Sequence, residues 1–172
     1  MTTERTLRTS PVTGIRLDPV LTPVLLAELL DPSAELWLVT AWVSDVPAID
    51  NSRGDYDSLF ADASARIYPL SEILALLTES GTRLTVVTRP AEHNNAFLGR
   101  LRHRATLRNC TLIQHADVHE KTFCGRNWLL TGSMNFTLRG MQVNDEAITY
   151  KLGEVPAAQA RIDFAHRWGK AQ

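Results

Sequence analysis

No apolar run in this chain approaches the ~20 residues that a membrane-spanning helix requires, and no amphipathic stretch suited to docking on a bilayer is visible. No membrane partner is therefore expected. The opening residues, MTTERTLRTSPVTG, lack the apolar segment of a secretory leader, so a cytoplasmic location is the expectation. Cysteine is scarce. Cys110 and Cys124 are the two in the chain, and they form no metal-ligand spacing. Cys124 reads as a small buried apolar residue. There is no surplus of basic charge either: 18 Lys and Arg stand against 19 Asp and Glu. Any nucleic-acid binding must then rest on a local patch. No internal repeat is present, so whatever chemistry the chain carries is there in one copy.

What is present is an ordinary globular composition, 44% hydrophobic and 22% charged over 172 residues, enough for one domain with a core and too little for two large ones. Residues 1–14 read as a flexible polar arm, and 15–172 as a single domain. Thr22-Pro23 reads as the start of a helix that Asp31-Pro32 ends. Glu35 to Val43 (ELWLVTAWV) is apolar on both faces, as in a strand covered from two sides. Residues 45–68, rich in aspartate, read as a long excursion from the sheet edge with a short helix inside, a place for a lid or a dimer contact. Leu70, Ile73, Leu74 and Leu77 repeat at helical spacing between Pro69 and Gly81, and Arg83 to Thr88 is the next strand. Asn94 reads as the cap of a helix through Ala105, with Phe97, Leu98, Leu101 and Ala105 inward. On its flank Arg100, His103 and Arg104 make the densest basic cluster in the chain. Thr111–His115, the segment 118–124 and Ala147–Tyr150 are further strands. Pro156 opens a last helix with Ala158, Ile162, Ala165 and Trp168 inward. The fold class is α/β, a mixed β-sheet flanked by helices on both faces.

The chemistry concentrates in 118–146. On a strand, His119 and Lys121 project to one face while Glu120 and Thr122 project to the other. Gly132-Ser133-Met134-Asn135 reads as a tight turn opening a short helix, where unpaired backbone N–H groups suit an anion. An imidazole, an ammonium, a hydroxyl and a carboxamide then converge as if to grip and attack a phosphate.

His119-Glu120-Lys121, followed by Gly132-Ser133-Met134-Asn135-Phe136-Thr137 and by Gly140, Asn144 and Glu146, resembles the phospholipase D superfamily signature over roughly 111–151. The aspartate position of the first motif falls on Arg126, which would set a reversed charge beside the site. The resemblance implies a phospholipase D-like domain and a metal-independent phosphodiesterase, most often a nuclease in short members with a single signature. His119 would be the nucleophile, forming a phosphohistidine. Imidazole attacks when neutral, as its ordinary pKa of ~6.5 permits at pH 7. Glu146 would accept the other ring N–H. Lys121 and Asn135 would bind non-bridging oxygens, with Ser133 and the Gly132 turn assisting, and Arg100 and Arg104 would meet the nucleic-acid backbone. No cofactor or metal is expected, because Lys121 and its symmetry mate supply the positive charge.

One imidazole cannot serve both ends of an in-line displacement. The single signature thus implies a homodimer with the site on its two-fold axis. Nucleic acid is the expected partner, DNA ahead of RNA, and some family members belong to bacterial DNA-restriction or phage-defence sets, so other proteins of such a complex are further expected partners. Two alternatives stand beside this: a catalytically impaired nucleic-acid-binding subunit, and a phospholipase or phosphatidyl transferase with Phe136, Leu138 and Met141 as an apolar rim.

Overall fold

The computed structural model describes residues 3–62 and 65–169. In chain order the elements are β1 (Thr3–Thr9), α1 (Asp18–Leu30), β2 (Glu35–Thr40), β3 (Pro47–Asp50), β4 (Ile67–Pro69), α2 (Leu70–Glu79), β5 (Arg83–Thr88), α3 (Glu92–Arg104), β6 (Cys110–Gln114), β7 (Lys121–Cys124), β8 (Trp128–Gly132), α4 (Leu138–Gln142), β9 (Glu146–Leu152) and α5 (Glu154–Trp168). Seven strands form one sheet in the order β1-β9-β8-β7-β2-β5-β6, and β3 pairs with β4 apart from it. The β2–β5 and β5–β6 pairs are parallel and the others antiparallel, so the sheet is mixed.

Strand β2 shows why both faces are covered. Leu36 and Leu38 enter a large core with Leu25 of α1, Ile73 and Leu77 of α2, Phe97 and Leu101 of α3, and Met141 of α4. Trp37 and Val39 enter a smaller core on the other face with Val87, Cys124 and Leu129. Helix α5 alone roofs that face, its Phe164 ring 5.9 Å from Trp37. Burial pushes the Cys124 thiol up to about 12, which matches a packing residue rather than a reactive thiol.

Five expectations need correction. Residues 1–14 are not wholly a free arm: Thr3–Thr9 pair with β9 over the whole of β1. Its sequence TERTLRT is polar because an edge strand need bury little. Helix α1 begins at Asp18 with Pro19 in its first turn, and Pro23 lies inside it. Two prolines four apart both suit a helix entry, and the first is the true one. Residues 45–68 leave from the carboxyl end of the central strand β2, not from the sheet edge. The segment is packed through the β3–β4 pair, with Phe60 stacked on Tyr68 at 3.7 Å. In α5 the inward residues are Ala157, Ala160, Phe164 and Trp168, whereas Ile162 is 62% exposed and Ala165 is also exposed. The helix starts two residues before Pro156, and the stripe is turned accordingly. Asn94 is not a cap but lies within α3, fully buried.

At one end of the sheet, a turn joins β7 to β8 against α1. Glu28, 4% exposed, accepts from Ser33 N (2.8 Å), Ser33 Oγ (2.7 Å) and Trp128 Nε1 (2.6 Å). Gly125 passes so close that a Cβ there would stand 2.5 Å from Trp128 Nε1 and 2.8 Å from Glu28 Oε1. Gly99 of α3 would meet nothing within 4 Å. Two alanine substitutions therefore separate in sign: in urea denaturation, Gly125→Ala is expected to lose about 1–3 kcal/mol through overpacking, and Gly99→Ala to gain about 0.5–1 kcal/mol through helix propensity.

Candidate active site

The site lies at the other end of the sheet. Parallel β2, β5 and β6 end there, as does β8, while β7 and β9 begin there. The registers fix this: Thr40 pairs with Lys121, Thr88 with Gln114, Gly132 with Ile148, and Thr9 with Glu146.

His119 precedes the start of β7 at Lys121 and is exposed. The strand is shorter than 118–124, but its alternation persists, since Thr122 Oγ donates to Glu120 Oε1 at 2.9 Å on the face away from His119 and Lys121. Lys121 donates from Nζ to the His119 carbonyl at 2.9 Å, and it lines a narrow cleft with Met134, Phe136 and Ile148.

Gly132–Asn135 is not a helix-opening turn. Helix α4 begins at Leu138, capped by Thr137 Oγ accepting from Gly140 N at 3.1 Å. Ser133 N donates to Ala147 O at 3.0 Å, so it is not a free donor for an anion. Gly132 acts by its smallness: a Cβ would fall 2.1 Å from Ala147 O. Gly140 plays the same part beneath Asn135, whose carbonyl would lie 2.3 Å from a Cβ there. Asn135 is held by its Oδ1, which accepts from Thr40 Oγ and Trp42 N at 3.4 Å each. Ser133 Oγ donates to Glu146, and Asn144 Nδ2 donates to Glu146 Oε1 at 3.3 Å. In this chain Glu146 therefore orients Ser133 rather than accepting the His119 ring N–H as expected. Gly140, Asn144 and Glu146, spaced along the sequence, all serve this one end of the sheet.

Arg126 is not beside the site. It sits in the β7–β8 turn at the opposite end, its guanidinium on Asp31. Counting along the motif reaches that position, but the strand carries it away from His119. The apolar rim does not form either, since Phe136 and Met141 are each 1% exposed and Leu138 is left alone at the surface. Arg100 pairs with Asp45 at 3.0 Å and Arg104 with Glu72 at 3.1 Å, so the basic flank of α3 shares its charge with carboxylates.

Arg89, at the carboxyl end of β5, is the neighbour of His119 that sequence motifs did not mark. Its Nη2 lies 2.8 Å from Nε2 and 3.0 Å from Nδ1 of that ring, and its Nε donates to Val118 O at 2.9 Å. Asn94 holds this corner together. It accepts from Val43 N at 2.9 Å and donates to Ala41 O at 3.0 Å and to Arg89 O at 2.8 Å. The signal that could have found Arg89 is topological: in open α/β sheets, ligands bind beyond the carboxyl ends of parallel strands.

No protein-family model and no curated protein matches the sequence. Solved structures do. Nuc from Salmonella typhimurium, a phospholipase D family member, superposes with a TM-score of 0.64 at 12% identity, over 99% of this chain and 96% of its own. The chain has a phospholipase D fold. NucT from Helicobacter pylori matches with a TM-score of 0.64 at 10% identity, over 96% of this chain and 95% of its own. Phosphatidylserine synthase from Haemophilus influenzae matches with a TM-score of 0.56 at 12% identity, over 97% of this chain but 38% of its own. The phospholipase D fold thus spans nearly all of the chain, with His119 and Lys121 at one end of its sheet.

Two outcomes test this geometry. Asn94→Ala leaves the buried Val43 N–H without its acceptor, while the Ala41 and Arg89 carbonyls keep the N–H groups of Arg89 and Ala91, and is expected to cost about 1–3 kcal/mol in denaturant titration. Hydrogen bonding to Arg66 holds the Glu72 carboxyl below its usual 4.5. A lowered pKa stabilises above the unfolded value and is lost as pH falls through the folded one. Wild type should therefore lose stability below pH 4.5 more steeply than Glu72→Gln, as read by thermal melts across that range.

Proposed function

We propose that the protein is a metal-independent phosphodiesterase that hydrolyses nucleic-acid phosphodiester bonds, DNA ahead of RNA, in a site shared by two copies of the chain. The reading is carried by the gathering of His119, Lys121, Ser133 and Asn135 at one sheet end. A nucleophile and donors to phosphate oxygens come there from separate parts of the fold. The loss of the Arg126 objection supports it further.

In the first step a nitrogen of one His119 attacks phosphorus. A P–N bond forms, the P–O bond to the departing strand breaks, and that oxygen takes a proton from the His119 ring of the second copy. In the second step water attacks, gives its proton to that second ring, and the P–N bond breaks. Both rings return to their starting states. Lys121 Nζ and Asn135 Nδ2 donate to the non-bridging oxygens, the latter because Oδ1 is already held by the backbone. Such preorganised donors act without reorganising during the step. Glu146 positions Ser133. Arg100 and Arg104 add less to backbone binding than their charge suggests, because each is shared with a carboxylate.

The test is hydrolysis of bis(4-nitrophenyl) phosphate and of labelled oligonucleotides in EDTA. Turnover should persist in the chelator, and its complete loss would count against the mechanism. His119→Ala should lower kcat by at least about a thousandfold. An equimolar, re-equilibrated mixture of wild type and His119→Ala should retain about one quarter of wild-type activity per chain if mixed pairs are dead, against about one half if each chain works alone. Oligonucleotides bound but never cut would favour the impaired binding subunit instead.

A further inference from the structure

Arg89 is half-buried and fixed on several sides. Its backbone N–H donates to Ala41 O at 3.2 Å, its carbonyl accepts from Asn94, its Nε holds Val118 O, and its guanidinium carbon stands 5.5 Å from the centre of the Trp42 ring. Its Nη2 is within 3.0 Å of both His119 nitrogens. The in-plane directions of the two imidazole nitrogens diverge, one carrying a lone pair and the other N–H in the neutral ring, so one nitrogen cannot lie in line with both, and Nη2 must sit out of the ring plane. The guanidinium thus lies against the ring, its Nη2 within hydrogen-bonding distance of both nitrogens and aligned with neither. Arg89, like several other arginines, makes no ion pair among the described residues, but it is the one placed against the His119 ring. A half-buried cation without a counter-charge, set against a candidate nucleophile, is a site built for an anion.

We propose that Arg89 is a further catalytic residue: its guanidinium takes a non-bridging oxygen of the phosphate that His119 attacks. The planar guanidinium moves as one unit, so a small swing of the side chain that re-aims Nε–H on Val118 O carries Nη2 from the ring to the phosphate. The same movement uncovers the His119 nitrogens as the substrate arrives. The planar fork then fixes the phosphate's orientation, which the point charge of Lys121 cannot do alone. This proposal rests on the phosphodiesterase reading for its activity but not for its anion.

The test uses the whole chain with Arg89→Ala and Arg89→Lys, assayed on bis(4-nitrophenyl) phosphate and titrated with inorganic phosphate while the His119 ring resonances are followed. Arg89→Ala should lose about 100–1,000-fold in kcat/KM, and added guanidinium ion should restore about tenfold or more of it. Arg89→Lys should bind phosphate at least about fivefold more weakly than wild type, because the fork is gone. Activity of Arg89→Ala within about twofold of wild type overturns the proposal, as does a reduced activity that guanidinium leaves unmoved. Should Arg89→Ala fail to fold, Arg89→Lys decides, since its ammonium can keep Val118 O. Phosphate affinity within about twofold of wild type then overturns the proposal. A wild type that hydrolyses no diester, yet loses phosphate binding with Arg89→Lys, brings down the phosphodiesterase reading and leaves the anion site standing.

Discussion

Backbone hydrogen bonds join β2 to β5 in parallel and to β7 in antiparallel fashion, and the site depends on that change of direction. Because β2 is paired both ways, the carboxyl ends of β2 and β5 meet the amino end of β7 along one edge. The register Thr40↔Lys121 brings the motif strand beside the loop that holds Asn135. Moving β7 by one residue would turn Lys121 and Phe123 to the other face, forcing Phe123 into the smaller core under α5 and taking the ammonium from the cleft. Phe123 is fully buried against Trp128 and Phe136, so the core enforces the register that the site uses.

The charge balance has a local resolution. A chain with a formal charge of −1 has no general pull on polyanions. Some of its arginines are partnered, as in the Arg66–Glu72–Arg104 group and in Arg100 on Asp45. Arg89 and Lys121 make no ion pair among the described residues, and both contact the His119 residue. Two cations thus stand together on the rim although the total charge is near zero, an arrangement suited to a ligand recognised at one phosphate.

Much of this was readable from residue order alone, and the exceptions follow a pattern. Helix α2 and strand β5 were plain because apolar residues recur at the helical period between Pro69 and Gly81 and because RLTVVT is β-branched. His119, Lys121, Asn135 and Glu146 could be singled out because their spacing is short-range. Arg89 was missed and Asn94 misread as a cap because the contacts of each are to neighbours that only the crossover from β5 to α3 brings close. Arg126 was misplaced for the converse reason: nearness in sequence says nothing about which end of a strand a turn occupies. Strand β1 left no pattern, since an edge strand held by backbone bonds can be polar throughout.

The chain also has a polarity that matters for handling it. Strand β1 sets out beside Leu152, and α5 runs back until Trp168 lies 5.1 Å from the His115 ring and Arg167 reaches Glu120 next to His119. Anchoring the molecule to a bead or sensor chip through the β1 end would turn the His119 rim outward, whereas attachment beyond α5 would crowd that rim.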